Sequence, residues 1–441
     1  MRKTIVLASA LILVQISLLA YVFQQERTWG GLDRDGAQGV AVAGDGSVYV
    51  TGETRSFGAG GGDPEAFLLK YNASGTLVWQ HTYGTAPDNL NSGVESGIDV
   101  AVAPDNSGVL VVGNYRDGNI FLAKFSPAGG LLWDLTWGAA PQAQESASAI
   151  AVAANGTIYV AGFTTSFGAG QGDAFLLSFT SGGILNWQKT WGGTGFDVPH
   201  GVAVATDGSI YISGDTQFTA NSAFLVKFAA DGSVVWQREW GFVGKNGVAG
   251  ETTGNGVAAA PAGGAYVVGD TTSAGADPNL LAARFDGAGN FVWQVVGGPG
   301  FGSAQDVAVG PNGNVHVTGN VLTDGGDSGV NAFVWTLLAN GRGNDAAVWG
   351  GTDPFEPEQG TSIATAADGA ILVAGTAGAA PYTFSRGSKN AKAARTFLNT
   401  IAGIVTTPAG VLGNPAAVVN TPAGSETFAG ASDAFLLRVL P

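Results

Sequence analysis

Cysteine is absent from this chain of 441 residues, and only three histidines and 19 lysines plus arginines are present. Without cysteine there are no disulfides, no thiolate metal sites and no cysteine nucleophile, so whatever closes the fold is non-covalent. His81, His200 and His316 cannot assemble a zinc set on their own. Against 34 aspartates plus glutamates the formal charge is −15. Phosphate binding needs clustered basic side chains, so nucleic acid is not an expected partner. Charged residues make up only 12% of the chain, a thin acidity that fits a soluble surface. No serine-nucleophile elbow and no phosphate loop occurs. Glycine is the opposite case, at 71 residues, but with 10% aromatics the chain is neither collagen-like nor disordered.

The N-terminus is basic at Met1-Arg2-Lys3, and Thr4 to Phe23 carries no charge. This reads as an export signal whose length also suits a membrane-spanning helix. Residues 1–23 are therefore expected to be a signal peptide or an N-terminal anchor. The body, residues 24–441, is expected outside the cytoplasm, secreted or at the cell surface. A membrane is a partner only through that segment, if it is retained.

A Trp-Gly-type step then recurs at Trp29-Gly30, Tyr83-Gly84, Trp137-Gly138, Trp191-Gly192, Trp240-Gly241, Val296-Gly297 and Trp349-Gly350, at intervals of 49 to 56 residues. Each unit holds four short β-like runs. In one of them Gly201–Ala205 is a small-residue strand, Thr206–Ser209 a turn, Ile210–Ser213 a second strand, Ala223–Phe228 a third and Val234–Trp240 a fourth. This period with this content predicts an all-β, seven-bladed β-propeller of four-stranded blades. The last unit lacks a fourth strand, whereas a lone fourth strand at about Gln25–Trp29 precedes the first unit. The two termini are expected to share one blade and leave no free edge. Gln25 stands where the other fourth strands carry Trp79, Trp133, Trp187, Trp236 and Trp293. Those repeated indoles read as wedges between neighbouring sheets rather than as sugar-stacking surfaces.

One unit breaks the pattern, with an insertion from about Thr376 to Asp433 in the last blade. Ser388–Ile401 reads as an amphipathic helix with Phe397, Leu398 and Ile401 on one side, beside the basic residues Arg386, Lys389, Lys392 and Arg395. Long structured loops are often functional. The expectation is a cap over the ring or a docking element, with Lys389, Lys392, Arg395 and Phe397 meeting the partner.

The segments Gly46–Gly52, Asp173–Leu177 and Asn186–Gly193 resemble the SBBP family of β-propeller repeats over nearly the whole chain. The resemblance implies an exported or cell-surface protein and no particular reaction.

In such a ring the loops joining second to third strands share a rim with the loops joining blades. That rim offers Asp35, Asp63 and Asp173 as ligand-binding candidates. His200 sits just before a first strand, with Gln38, Ser148, Asn255, Gln305 and Thr361 at comparable places, so His200, Asn255 and Gln305 are candidates in a polar ring at the channel mouth. No cofactor is expected. Calcium is the one ion the loops would take, at Asp33 and Asp35 or at Asp324 and Asp327, although neither has full ligand spacing. Two readings stand. One is a non-catalytic binding or scaffolding module whose partner is a cell-envelope protein or glycan. The other is an exported enzyme, a polysaccharide hydrolase or lyase or a quinoprotein-like protein, working at an acidic rim. Three convergent carboxylates beside an aromatic shelf would mark the enzyme.

Overall fold

The structure, a computed structural model, describes residues 22–57, 63–85, 95–139, 144–217, 222–242, 250–272, 279–322, 329–351, 357–378, 382–386, 391–393, 396–399, 404–406, 411–413, 417–420 and 432–440. These form seven four-stranded antiparallel blades in a ring, with no helix among the described residues. Strands are lettered a to d from the channel outward. Blade 1 comprises Asp35–Val42, Val48–Thr54, Glu65–Tyr71 and Leu77–Thr85. Blade 2 comprises Glu95–Val102, Val109–Tyr115, Ile120–Phe125 and Leu131–Gly138. Blade 3 comprises Glu145–Val152, Ile158–Thr164, Asp173–Phe179 and Leu185–Gly192. Blade 4 comprises Asp197–Val204, Ile210–Thr216, Ser222–Phe228 and Val234–Phe242. Blade 5 opens with Gly256–Ala259, Ala265–Thr271 and Asn279–Phe285. The long strand Phe291–Val309 then serves as its d strand and as the a strand of blade 6, which continues through Val315–Leu322, Val330–Leu337 and Gly343–Gly351.

Blade 7 joins the two ends of the chain. Gln359–Thr365, Ile371–Ala377 and Asp433–Leu440 are its a to c strands, and Val22–Trp29 is its d strand, paired from Val22 with Leu440 to Trp29 with Ala434. The expected closure is therefore present. The hairpins follow from local chemistry. At Asp45-Gly46 the Asp45 carboxylate accepts the Ser47 N–H at 2.8 Å, which holds its pKa below the usual range, and Gly46 takes φ 81°, a region glycine enters without cost.

The blades are joined by the Trp-Gly step. Trp29, Trp137, Trp191, Trp240 and Trp349 are all buried, at 2% exposure or less. Trp29, Tyr83, Trp137, Trp191 and Trp349 each lie 4.6–4.8 Å from a c-strand phenylalanine of the next blade (Phe67, Phe121, Phe175, Phe224 and Phe435). The indole N–H of Trp29, Trp137 and Trp191 donates at 2.7 Å to Gln80, Gln188 and Gln237, again one blade on. At the second junction both partners change together, and the Tyr83 hydroxyl donates to Asp134 at 3.2 Å. Each buried ring is worth about 2–3 kcal/mol on area grounds.

The tryptophans expected as wedges form a second, shallower set at the same junctions, of which Trp236 is buried. Trp79, Trp133, Trp187 and Trp293, which begin the d strands, are only half-buried. Trp79, Trp187, Trp236 and Trp293 donate their indole N–H at 3.1 Å to a turn carbonyl of the next blade, at Pro127, Ala230, Gly287 and Ala339. Gln25 performs the same task with its amide, which donates to Ser74 O at 2.7 Å. The substitution of glutamine for tryptophan at the closure keeps the hydrogen bond and gives up the ring.

The glycine of the step is required by space. A Cβ on Gly192 would land on Asp173 Oδ1 and lie 2.8 Å from Asp197 Oδ2, and one on Gly30 would meet Asp433 and Asp35 in the same way.

The insertion is not a helix. Residues Ser388–Ile401 contain the strands Ala391–Ala393 and Thr396–Asn399 instead, two of six short strands in this segment. Tyr382–Arg386 pairs with the outer strand of blade 6, Ala391–Ala393 with blade 5, Thr396–Asn399 with blade 4, Ile404–Thr406 with blade 3, Val411–Gly413 with blade 2 and Ala417–Asn420 with blade 1. The segment is a belt that gives six blades a fifth strand in reverse chain order. Backbone pairing explains why strands win here: each d strand presents unpaired N–H and C=O groups that a passing extended chain satisfies. Lys392 lies opposite Val296 and Phe397 opposite Gly241, while Lys389 and Arg395 fall outside the described residues. The described strands of the belt lie along the outer wall and not over the mouth.

Two outcomes follow. Gly192→Ala is expected to destabilise the fold by about 1–3 kcal/mol, the usual cost of overfilling a packed site, measured by urea unfolding. Ala377 and Asp433 are direct partners across their strands, so a short loop can replace the belt. That variant is expected to keep the ring by circular dichroism and to self-associate in sedimentation, because six strand edges become bare.

Candidate functional site

Strand a of six blades carries an irregularity at the same point. The register skips between Ala37 and Gly39, Gly97 and Asp99, Ala147 and Ala149, Pro199 and Gly201, Ala304 and Asp306, and Gly360 and Ser362. The skipped residues are Gln38, Ile98, Ser148, His200, Gln305 and Thr361. Asn255, immediately before strand a of blade 5, takes the seventh place. A bulge re-aims one side chain, and here all seven line one cavity of about 110 Å³ on the ring axis. At Gly39 and Gly256 the residue after the skipped one has no room for a side chain, because the strands converge. A Cβ on Gly39 would meet Asp99 Cα at 2.9 Å and one on Gly256 would meet Asp306 Cα at 2.9 Å.

The wall is uneven. Across blades 4 to 6 it is a connected network. His200 Nε2 lies 3.0 Å from Asp215 Oδ2, and the Gly254 N–H donates to Asp215 Oδ1 at 3.1 Å. The Asn255 amide donates to Asp270 Oδ1, Ser303 Oγ and Ala304 O at 3.2, 3.1 and 2.8 Å, while Gln305 donates to Ser303 Oγ at 2.9 Å. Thr361 donates to Ala37 O at 2.9 Å, across the blade 7 to blade 1 junction. On the opposite arc Gln38 and Ser148 make no hydrogen bond among the described residues, so their polar atoms are free to meet a ligand. Phe163 and the exposed Phe196, 6.2 Å apart, form a small aromatic shelf on the rim of blade 3.

Two carboxylates stand behind the ring. Asp99 accepts the N–H groups of Val100 and Ile150 at 2.8 and 2.9 Å. Asp306 accepts those of Val307 and Ile363 at 2.7 and 2.9 Å and the Ser362 hydroxyl at 3.0 Å. Each thereby ties its own blade to the next. Both touch the channel but are otherwise enclosed by protein. Burial, with Asp306 as a nearby like charge, pushes Asp99 up to about 7 despite its N–H donors, and burial also holds Asp306 above the usual carboxylate range.

The structure therefore brings His200, Asn255 and Gln305 together, as the sequence suggests, and adds Ile98, Asp99 and Asp306. The other candidates lie elsewhere. Asp35 is buried and fully engaged by the Gly31 N–H and the Thr54 and Ser56 hydroxyls. Asp173 accepts the Ala169 and Gly170 N–H groups at 3.0 and 3.1 Å and packs on the blade 3 to blade 4 junction. Asp63 is half-buried before strand c of blade 1 and Asp33 is exposed. Asp324 and Asp327 fall outside the described residues. Among the described residues no three His, Asp or Glu side chains converge to hold a metal ion. His316 is a core residue, held 2.7 Å from Thr336 Oγ1 and pushed down to about 4 by burial. His81 stacks on Trp79 at 5.0 Å.

No family model matches the chain, and no curated protein sequence matches it. Among solved structures it is similar to the periplasmic gluconolactonase PpgL of Pseudomonas aeruginosa, at 13% identity over 70% of this chain and 84% of that one, with a TM-score of 0.46. It is similar too to a protein of unknown function from Dyadobacter fermentans, at 13% identity over 86% and 99% of the two chains and a TM-score of 0.44. A glucose dehydrogenase matches at 14% identity over 69% and 95%, with a TM-score of 0.39. Likeness at this level carries no argument about chemistry.

The carboxylate pair gives a pH signature. The unfolded chain releases the Asp99 proton near 3.9, whereas the folded chain holds it to about 7. The stability this contributes is complete below the lower value and is lost as pH rises through the upper one. The chain is expected to resist urea better at pH 5 than at pH 8, and Asp99→Asn is expected to shrink that difference. An undiminished difference in the variant contradicts the assignment to Asp99.

Proposed function

We propose that this chain is a non-catalytic binding or scaffolding propeller of the SBBP repeat type, working outside the cytoplasm, which takes its ligand at the channel mouth. The observation that carries this reading is the bulge ring: seven blades each deliver one side chain to a single cavity, and Gln38 and Ser148 make no hydrogen bond there among the described residues. The basic N-terminus and the uncharged stretch to Phe23 support export, with attachment to a membrane through that segment if it is kept. Among the described residues no helix is long and apolar enough to cross a membrane, and residues 1–21 lie outside them. A cell-envelope protein or glycan is the partner this setting favours, and the scarcity of basic residues disfavours nucleic acid. No resident cofactor is proposed beyond calcium at the Asp324–Asp327 loop, since the Asp35 carboxylate of the Asp33–Asp35 loop is taken up by protein donors.

The enzyme reading draws on one observation, the His200–Asp215 pair facing the cavity, since a carboxylate-oriented imidazole is the usual form of a general base. Against it, among the described residues no nucleophile is hydrogen-bonded to His200, and Asp215 is the one carboxylate bonded to it.

The test is an array of glycans and small polar compounds, run with and without calcium, on the chain and on a Ser148→Trp variant that fills the mouth. Binding that the variant loses, with the ligand recovered intact, is the expected result. Ligand recovered as product, with turnover abolished by His200→Asn, decides for the enzyme. Binding that survives in Ser148→Trp removes the mouth as the site.

A further inference from the structure

The charge on the channel wall goes further than its shape. Among the described residues no lysine or arginine lines the cavity, whereas Asp99 and Asp306 do, and Asp215 and Asp270 stand directly behind His200 and Asn255. Asp99 and Asp306 are held by backbone N–H groups and one hydroxyl, which satisfy lone pairs and leave the negative charge uncompensated. His200 is the one basic group on the wall, and it is tied to Asp215. A narrow cleft with charge of one sign and low-dielectric walls concentrates its field on the axis.

Resting on the reading of the mouth as a ligand site, we propose that the group it recognises is an alkylammonium: a primary amine on a short aliphatic stem. Four features of the wall fit this class. Anions are repelled by the carboxylates. A bare metal ion lacks three converging ligands among the described residues. The cavity, about 110 Å³, is well below the several hundred cubic ångströms of a drug-sized pocket, so it takes a small molecule or the tip of a longer one. The wall also pairs apolar Ile98, Val202 and Val257, against which a methylene stem can lie, with the acceptor oxygens of Gln38, Ser148 and Gln305 for the three N–H donors of an ammonium. The raised proton affinity of Asp99 has the same origin as the attraction, because a proton and an ammonium are alternative ways of neutralising the wall. The charged group that acts on Asp99 is Asp306, and the other titratable group on the wall is His200, so an ammonium bound at neutral pH is expected to displace a proton.

The experiment is calorimetric titration of the purified chain at low salt with 1,4-diaminobutane, its neutral counterpart 1,4-butanediol, acetate, and a short peptide with one lysine. The expected result is binding of the amines but not of the diol or acetate, weakened at least tenfold by 0.5 M salt, with protons released at pH 7. Tighter binding of the peptide than of the diamine assigns the source to a partner's lysine, and the reverse to a free amine. Asp270→Asn is expected to weaken the amines at least tenfold. Should that variant fail to fold, Ser148→Lys, which places the chain's own ammonium in the cavity, is expected to abolish amine binding. Equal binding of diol and diamine, or mouth-dependent binding of neutral glycans alone, overturns the ammonium assignment and leaves the mouth as the site. Amine binding that Ser148→Trp leaves intact overturns both.

Discussion

The junction between one blade and the next is the constraint on which the rest depends. A blade of four short strands cannot bury both its faces alone, and without cysteine nothing covalent can hold seven of them together. The Trp-Gly step solves this with one dipeptide. Its aromatic crosses to the next blade, lies on a phenylalanine and donates its N–H to a glutamine there. Its glycine leaves room for two polar side chains, one from each blade, to close on the backbone. The second junction shows that this is a matched pair: where tryptophan becomes Tyr83, glutamine becomes Asp134. Because every junction repeats the same rotation, the ring closes and the a strands are forced together on the axis. The crowding there leaves no room for a side chain at Gly39 or Gly256 and so helps fix which side chains reach the channel.

Much of this is legible in the chain itself. The blade count, the closing strand and the turns can be read because each unit supplies a check on the others, and local preference agrees with the final fold. The same alignment reveals the polar ring, since Gln38, Ser148, His200, Asn255, Gln305 and Thr361 fall at one offset from strand a. Asp99 and Asp306 escape notice although they carry a signal. They occupy the place where other blades have Gly39, Ala149, Gly201, Gly256 and Ser362, and a carboxylate in a run of small residues on the ring axis is an anomaly that single-strand reading does not weigh.

The belt is not legible, for a physical reason. Its strands are three to five residues long, too short for a period of two to stand out from one of 3.6. Phe397, Leu398 and Ile401 happen to suit a helix face. What makes the segment extended is the row of unpaired backbone groups on six outer strands, whose distance along the chain runs from 31 residues (Gly351 to Tyr382) to 338 (Thr82 to Asn420). No local window contains that information.

The order in which the belt visits the blades has a consequence for how the protein is made. A nascent chain emerges N-terminal end first, so Leu77–Thr85 is finished long before Ala417–Asn420, its partner, exists. The outermost strand of the earliest blade must therefore wait through residues 86–416, while the latest blade waits least. The belt is a hoop made before the last stave: Asp433–Leu440, which completes blade 7 and makes the vessel round, follows the belt in the chain.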